Sequence, residues 1–416
     1  MIDENRITLE KEGVIVFLGS MNAMPMMYAW ELKKLGYNVL YFVDVAKVNT
    51  LSRPENHFPD IKYPYPDWVI ESIIPSQILL PIFRANSAEF YFKKIKKITN
   101  RKINCIVLNG FFISLSSYFS RHARTVALSH GSDLDVWANK ESSKRLGESF
   151  SQRSIFKYLP LFLSRRLIQK IVERQYDGLV DADAVVYFPE KFNDAGDFVL
   201  NSLRLKGKKI LSRYDISFAP LDGLSREFKI RHEKIVIFSG VRFLYKTFPD
   251  GNEGYSKGND IIIRGLAKYY ADQKNIEIHF VEKGEDVTFA KELCRQLGLD
   301  EVVIWHKEMS FRNLIKLFIN SDICFDQVGA HWIGAIGAYA LYIGKPLIAN
   351  INKPIIAGIW PQETPILSVE DDEDVFNALC KLENPAEAVK IHADSKIFVE
   401  KYMSPLKLMN ELFLLN

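Results

Sequence analysis

Asp322-Ile-Cys-Phe-Asp-Gln-Val-Gly-Ala-His-Trp-Ile-Gly-Ala-Ile-Gly-Ala-Tyr-Ala-Leu-Tyr-Ile-Gly-Lys-Pro-Leu-Ile-Ala349 reads as a strand, a glycine-studded loop, a small-residue helix and a second strand. Ile323 to Phe325 is a short apolar run suited to a buried strand. Gly329 and Gly334 free the backbone to approach a ligand, and a helix starting near Gly334 would point unpaired N–H groups at an anion. Gly344-Lys345-Pro346 then ends that helix and opens the next strand.

Outward from this stretch, short apolar runs alternate with longer amphipathic ones, the signature of parallel sheets with crossover helices. Strands are predicted at Val14 to Leu18, Val39 to Val43, Ile106 to Leu108, Thr125 to Leu128 and Ala184 to Tyr187. A second set is predicted at Ile235 to Phe238, Ile276 to Val281, Val302 to Trp305, Ile323 to Phe325 and Pro346 to Ala349. Helical three-four spacing marks Met26 to Leu35, Asp260 to Ala271, Phe289 to Leu297, Ser310 to Asn320 and Asp372 to Lys381. Residues 51 to 81, rich in proline and aromatics, are expected to form an inserted loop. Arg213 to Lys234, polar and carrying Pro220 and Gly223, is the best linker.

At 416 residues the chain exceeds one ordinary core, so two domains are expected. They are placed at 1–222 and 223–395, with a C-terminal helix over 396–416 that could pack back on the first. Two doubly wound domains would bind a ligand at the carboxyl ends of their strands. A net charge of +3 gives no global case for nucleic acid. There is no apolar run long enough for a membrane span, and Met1-Ile-Asp-Glu-Asn-Arg is not a secretory leader. The expectation is therefore a cytoplasmic protein. Cys105, Cys294, Cys324 and Cys380 sit apart among apolar neighbours and read as buried thiols in a reducing compartment, without a disulfide framework or zinc site.

A second candidate site lies after the strand ending at Ser239-Gly240. Arg242 comes next, and Lys257-Gly258 precedes a helix. A planar guanidinium fork and an ammonium beside a helix start suit a diphosphate, whereas two solvated loop cations would be the ordinary reading of either residue alone.

Together, Gly240-Val-Arg242, Lys257-Gly258 and Ala338-Tyr-Ala-Leu-Tyr-Ile-Gly-Lys-Pro346 resemble the nucleotide-sugar domain of GT-B glycosyltransferases, closest to family 4. The Gly19-Ser-Met-Asn22 turn and the helix ending at Lys34-Leu-Gly-Tyr-Asn38 look like that fold's opening unit, and His130-Gly-Ser-Asp133 looks like its histidine-bearing loop. The resemblance covers essentially the whole chain. It implies two Rossmann-like domains facing across a cleft and transfer of a sugar from a nucleoside diphosphate to a saccharide or lipid-linked acceptor, in bacterial surface polysaccharide, lipopolysaccharide or glycoconjugate synthesis. The N-terminal domain would hold the acceptor.

By the same resemblance, His130, Asp133, Arg242 and Lys257 form the catalytic set, with Arg242 and Lys257 neutralising the leaving diphosphate. Donor contacts fall on Gly19, Asn22, Gly240, Arg242, Lys246, Lys257, Gly284, Gln327, Gly329, His331, Gly334 and Tyr339, with Ala330 beside them. No metal or other cofactor is implied. Two departures stand out. The family carries two glutamates eight residues apart in the opening stretch, and those positions are His331 and Tyr339 here; either can hydrogen-bond a hydroxyl, but neither is a carboxylate. The segment between Arg242 and Lys257 is also long, so Lys246 competes with Lys257 for the phosphate role.

His331 and Trp332 could instead close a core, and Tyr339 could be a packing residue. Asp133 and Asp135 read as a helix cap and a solvated carboxylate. If the reaction inverts, Asp133 is the first candidate base; a retaining reaction, expected first, could use the leaving phosphate. A nucleotide-sugar epimerase and a non-catalytic binding partner are the alternatives.

The acceptor half carries two basic stretches. From Arg153 to Arg174, Phe156, Leu159, Leu163, Leu167 and Ile171 form a helical stripe flanked by Arg153, Lys157, Arg165, Arg166, Lys170 and Arg174, bent or started at Pro160. Tyr91 to Lys102 adds further cations without an acid. Both could contact an anionic membrane surface at the inner face of the cell membrane, or could be ordinary helices packed on the sheet.

Overall fold

The computed structural model describes residues 6–58, 60–153, 155–213, 234–248, 253–272, 275–329 and 332–415. The chain divides into two compact units, Met1–Tyr214 with Pro405–Asn416, and Asp215–Ser404.

Eight strands precede the division: β1 Ile7–Leu9, β2 Val14–Leu18, β3 Asn38–Val43, β4 Val69–Glu71, β5 Ile103–Leu108, β6 Arg124–Leu128, β7 Ala184–Tyr187 and β8 Lys209–Ser212. Seven of them make one parallel sheet in the order β4-β3-β2-β5-β6-β7-β8. β2 and β5 are buried along their whole length. Continuous apolar runs of this kind belong to strands covered on both faces, where alternation would leave polar groups against helices. Six strands form the second unit's sheet: β9 Ile235–Ser239, β10 Ile276–Glu282, β11 Val303–Lys307, β12 Ile323–Phe325, β13 Leu347–Ala349 and β14 Ile366–Ser368. Their order is β11-β10-β9-β12-β13-β14, again all parallel.

In both sheets the order reverses once, between β2 and β5 and between β9 and β12. Connections leave in opposite directions at such a switch point and open a crevice at the carboxyl ends of its two strands. The residues that come just after those strands line each crevice: Gly19 to Asn22 and Gly110 in the first unit, Gly240 to Arg242 and Asp326 to Gly329 in the second.

One face of the second sheet is covered by the helix Asn259–Asp272, which buries Ile262, Ile263, Leu266 and Tyr269 at three-four spacing. These join Phe280, Leu379 and Val375 in one apolar cluster. At roughly 1.5–3 kcal/mol per fully buried large side chain, that stripe outweighs the modest helix propensity of Ile and Tyr. The helix Ala335–Ile343 is closed by Gly344 in the left-handed region, φ 81°, as its glycine and following proline predict.

The structure departs from the sequence-based expectation in several places. The inserted loop at 51 to 81 carries an edge strand, β4, paired with β3. β8 and β14 are likewise short sheet strands outside the predicted set. The expected terminal helix over 396–416 is two helices, Pro385–Tyr402 in the second unit and Pro405–Leu412 in the first. The latter ends in β15, Phe413–Leu415, which pairs with β1. Most of the expected linker, 214–233, and the 222/223 boundary lie outside the described residues. The basic stripe also has a more ordinary use than a membrane face: Phe156, Leu159, Leu167 and Ile171 pack with Trp137 in a core cluster, and the helix Leu161–Asp181 begins after Pro160.

Three cysteines are buried, Cys380 is half-buried, and all four are free thiols. Among the described residues no helix is long and apolar enough to cross a membrane.

Candidate functional site

In the second unit, the loops after β9 and β12 meet at Asp326. This buried carboxylate accepts three backbone N–H groups, from Gln327 at 2.8 Å, Gly334 at 2.6 Å and Gly337 at 2.9 Å. The helix N-terminus expected to offer its N–H groups to a bound anion is therefore already served by an anion of the chain itself. Gly337 is what permits this, because a Cβ there would sit 2.6 Å from Asp326 Oδ2. Burial pushes the Asp326 carboxyl up, and the three N–H donors together with Lys257 pull against it.

Lys257 is half-buried beside this carboxylate. Burial lowers its ammonium pKa, Asp326 opposes the shift and the positive charge of Arg242 adds to it. Asp326 and Arg242 are thus each within electrostatic reach of Lys257, and Arg242 itself is exposed. The Lys257 loop is laced to the loop after β12: Val328 N–H donates to Lys257 O at 3.0 Å, and Gly258 approaches Gly329 so closely that a Cβ on Gly258 would meet Gly329 N at 2.5 Å. Gly258 also has φ +64°, so this crossing admits only glycine without strain. Gly240 lies against Ile336 in the first turn of the helix, and Gly284 against the Arg242 side chain.

Lys246 and Lys257 are now distinguished. Lys246 places its ammonium 4.1 Å from the centre of the Phe289 ring, while its N–H and those of Tyr245 and Thr247 bind Asp286. Lys257 is coupled electrostatically to Asp326 and Arg242. Gln327 is buried and donates from Nε2 to Trp332 O at 2.7 Å, so it braces the loop. Tyr339 is buried against Phe311 and Phe318, with ring centres 4.4 and 6.4 Å away; its ring serves packing. Ala330 and His331 lie outside the described residues. Asp326 is absent from the sequence-predicted set. Its signal in the sequence is a carboxylate ending a buried strand, with glycines eight and eleven positions on.

The first unit has a comparable arrangement after β5, β6 and β7. Asp133 is fully buried and accepts N–H groups from His130 at 3.0 Å, Gly131 at 2.9 Å and Gly110 at 3.1 Å. Its carboxylate is occupied in shaping the His130 loop, which makes it a positioning group. Gln175, also buried, ties the same loop to Gly110 by donating to both Gly110 O and Asp133 O. Asp135, expected to be solvated, is buried instead and accepts from Tyr187 OH at 2.8 Å and Asn193 Nδ2 at 2.7 Å; burial pushes it up to about 6. Among the described residues His130 Nδ1 is buried without a partner, and Arg213 Nη2 approaches His130 O at 3.5 Å. Burial, then Arg213, pull the imidazole down to about 3, so it is neutral at physiological pH and can donate to or accept from a hydroxyl. Gly19 packs on Asn109 O, and Asn22, with φ 54°, gives its N–H to Ser52 Oγ at 3.0 Å.

No family model matches the chain, and no curated protein matches it in sequence. Solved structures do match in fold. A sucrose-phosphate synthase from Thermosynechococcus elongatus is 13% identical with a TM-score of 0.56, covering 96% of this chain and 97% of its own. Anabaena HepE, solved in complex with UDP and glucose, is 11% identical with a TM-score of 0.55, covering 96% and 98%. The lipopolysaccharide outer core galactosyltransferase WaaB is 12% identical with a TM-score of 0.53, covering 96% and 98%. The chain has the GT-B fold, an α/β architecture of two Rossmann-like domains.

The depressed His130 pKa gives stability a definite pH dependence. Between about pH 6.5 and 3 the unfolded chain binds a proton that the folded chain does not. This group therefore contributes stability above pH 6.5 that is lost as pH falls toward 3, at most about 1.4 kcal/mol per pH unit. In urea titrations from pH 7 to 4, His130→Gln is expected to lose less stability than the parent. Parallel losses would contradict a buried neutral imidazole.

Proposed function

We propose that the protein is a glycosyltransferase that takes a sugar from a nucleoside diphosphate donor to a saccharide or lipid-linked saccharide acceptor, in building a bacterial surface polysaccharide or glycoconjugate. The observation that carries this is the pairing of Arg242 with Lys257 at the carboxyl end of β9, beside the glycine crossing of Gly258 and Gly329. Breaking a sugar–diphosphate bond develops charge on the leaving group. A guanidinium fork and a partly desolvated ammonium, fixed before the reaction, stabilise that charge without reorganising. The reading assigns this role to side chains and uses no divalent cation. HepE with its UDP and glucose supports the donor class, and WaaB supports the surface-polysaccharide setting.

The GT-B fold also serves a protein described as a UDP-N-acetylglucosamine 2-epimerase. Epimerisation needs acid and base groups at the sugar. Asp133 is committed to three backbone donors, which favours transfer over epimerisation and, for the same reason, retention over inversion with Asp133 as base. The neutral His130 imidazole suits a sugar hydroxyl.

A thermal-shift panel of UDP, GDP, ADP, CMP and TDP tests the donor class. One nucleoside diphosphate at a hundred times its Kd should add about 2.7 kcal/mol, roughly 5–10 °C in a domain of this size. Arg242→Ala should weaken it about tenfold or more, and EDTA should leave both binding and nucleotide release unchanged. If no nucleotide shifts the transition, the transferase reading fails; loss of activity in EDTA would overturn the metal-independent part.

We further propose that the acceptor side meets an anionic membrane, on residues other than the core stripe. Tyr158, Phe162 and Leu161 are 79, 66 and 47% exposed, and Lys157, Arg166 and Lys170 surround them. Aromatic and aliphatic side chains flanked by cations fit the interface of an anionic bilayer, at about 1 kcal/mol per cation. The protein should co-sediment with phosphatidylglycerol vesicles at low salt and lose that binding in Phe162→Ser. An absence of binding at low salt would remove this claim.

A further inference from the structure

A cavity of about 570 Å³ lies within the first unit, between the chain leaving β4 and the helix Arg84–Ile98. The helix presents Ser87, Phe90, Tyr91 and Lys94 to it, and the β4 side presents Ser72 and Ile73. The volume is in the range of small-molecule sites, which run from roughly 300 to 1,000 Å³. It opens beyond the carboxyl end of β4, the edge strand of the sheet.

Its two ends differ in chemistry. At the rim, Phe90 and Ile73 are 57 and 50% exposed, an apolar edge that ordinary surface packing has not covered. Inside, Tyr91 and Ser72 are buried, with Tyr91 OH 3.4 Å from both Ser72 Oγ and Ser72 O, a separation at which neither bond is well made. Lys94 is half-buried beside them. Among the described residues its ammonium's hydrogen-bond partner is the Glu71 carbonyl, at 3.5 Å, and it lies 5.9 and 6.0 Å from the Phe42 and Phe90 ring centres. The Glu71 carboxylate is turned to Arg53 at 2.7 Å, and burial alone lowers the Lys94 ammonium pKa, with no carboxylate opposing it. Among the described residues this half-exposed ammonium is paired with no carboxylate, which leaves it open to a bound anion. The neighbouring Lys93 is different: it is exposed and paired with Glu89 at 2.7 Å.

We propose that this cavity binds an anionic amphiphile, its phosphate on Lys94 with the Ser72 and Ser87 hydroxyls, and its apolar part along Phe90 and Ile73. The binding stands on the cavity's own residues. Assigning the ligand as the phosphate-bearing end of a lipid-linked acceptor rests on the transferase reading above.

Three probes separate the components: octyl phosphate, octyl β-D-glucoside and inorganic phosphate, each titrated calorimetrically into the full chain below its aggregation limit. Octyl phosphate is expected to bind at least tenfold tighter than either of the others. Lys94→Gln should remove that tenfold preference over the glucoside, and Lys93→Gln should leave it intact. Ser87→Trp, which fills the cavity while keeping the lysine, should abolish binding of both octyl compounds. Equal affinity for octyl phosphate in Lys94→Gln and the parent overturns the proposal, and so does octyl phosphate binding that survives Ser87→Trp. Binding no tighter than inorganic phosphate reduces the site to a surface cation and overturns it as well. No donor nucleotide is used, so these outcomes are independent of the nucleotide thermal-shift panel, and either reading can fail without the other.

Discussion

The second unit depends on one buried carboxylate. Asp326 ends β12 and takes the N–H groups of Gln327, Gly334 and Gly337, so a single side chain fixes the turn out of the strand and the start of the next helix. Leaving such a group unpaired in the interior would cost about 1–3 kcal/mol. Lys257 sits against this charge, and its own loop is crossed with Gly329. The cation that would face a diphosphate is thus set by the same residue that shapes the loop. Because the helix N-terminus is engaged internally, the positive charge available to a ligand comes mainly from Arg242 and Lys257.

Asp133 does equivalent work in the first unit, closing the turn that carries His130. Asp326 comes after a strand at the reversal in strand order, and Asp133 comes after β6, one strand beyond it, where its bond from Gly110 N–H ties its turn to the loop after β5. In each case the chain supplies an internal acceptor for part of the turn backbone, beside a neutral imidazole in one unit and two cations in the other. That division of labour suits an uncharged sugar hydroxyl and a charged diphosphate respectively.

The central strands were legible because β2 and β12 are apolar throughout and β5 and β9 carry one polar residue each, and the helix Asn259–Asp272 because its buried residues recur at three and four. The edge strands β4, β8 and β14 were not, since three or four half-buried residues carry no period that separates them from a loop. Among candidate site residues, Arg242, Lys257 and His130 stand out in the sequence through motif order. Asp326 escaped because its partners lie eight and eleven residues on, a distance that means something only once the helix folds back over the strand end. Tyr339 looked like a ligand contact by position, yet Phe311 and Phe318, in a different helix, make it a packing residue. Asp135 looked solvated because nothing nearby in sequence announces Tyr187 and Asn193.

The most direct measurement is a crystal structure with the nucleoside diphosphate selected by thermal shift. The account predicts the pyrophosphate within hydrogen-bond distance of Arg242 and Lys257, with Asp326 still bonded to Gly334 and Gly337. A pyrophosphate seated on the Gly334 and Gly337 N–H groups with Asp326 displaced, or bound away from Arg242 and Lys257, would contradict it.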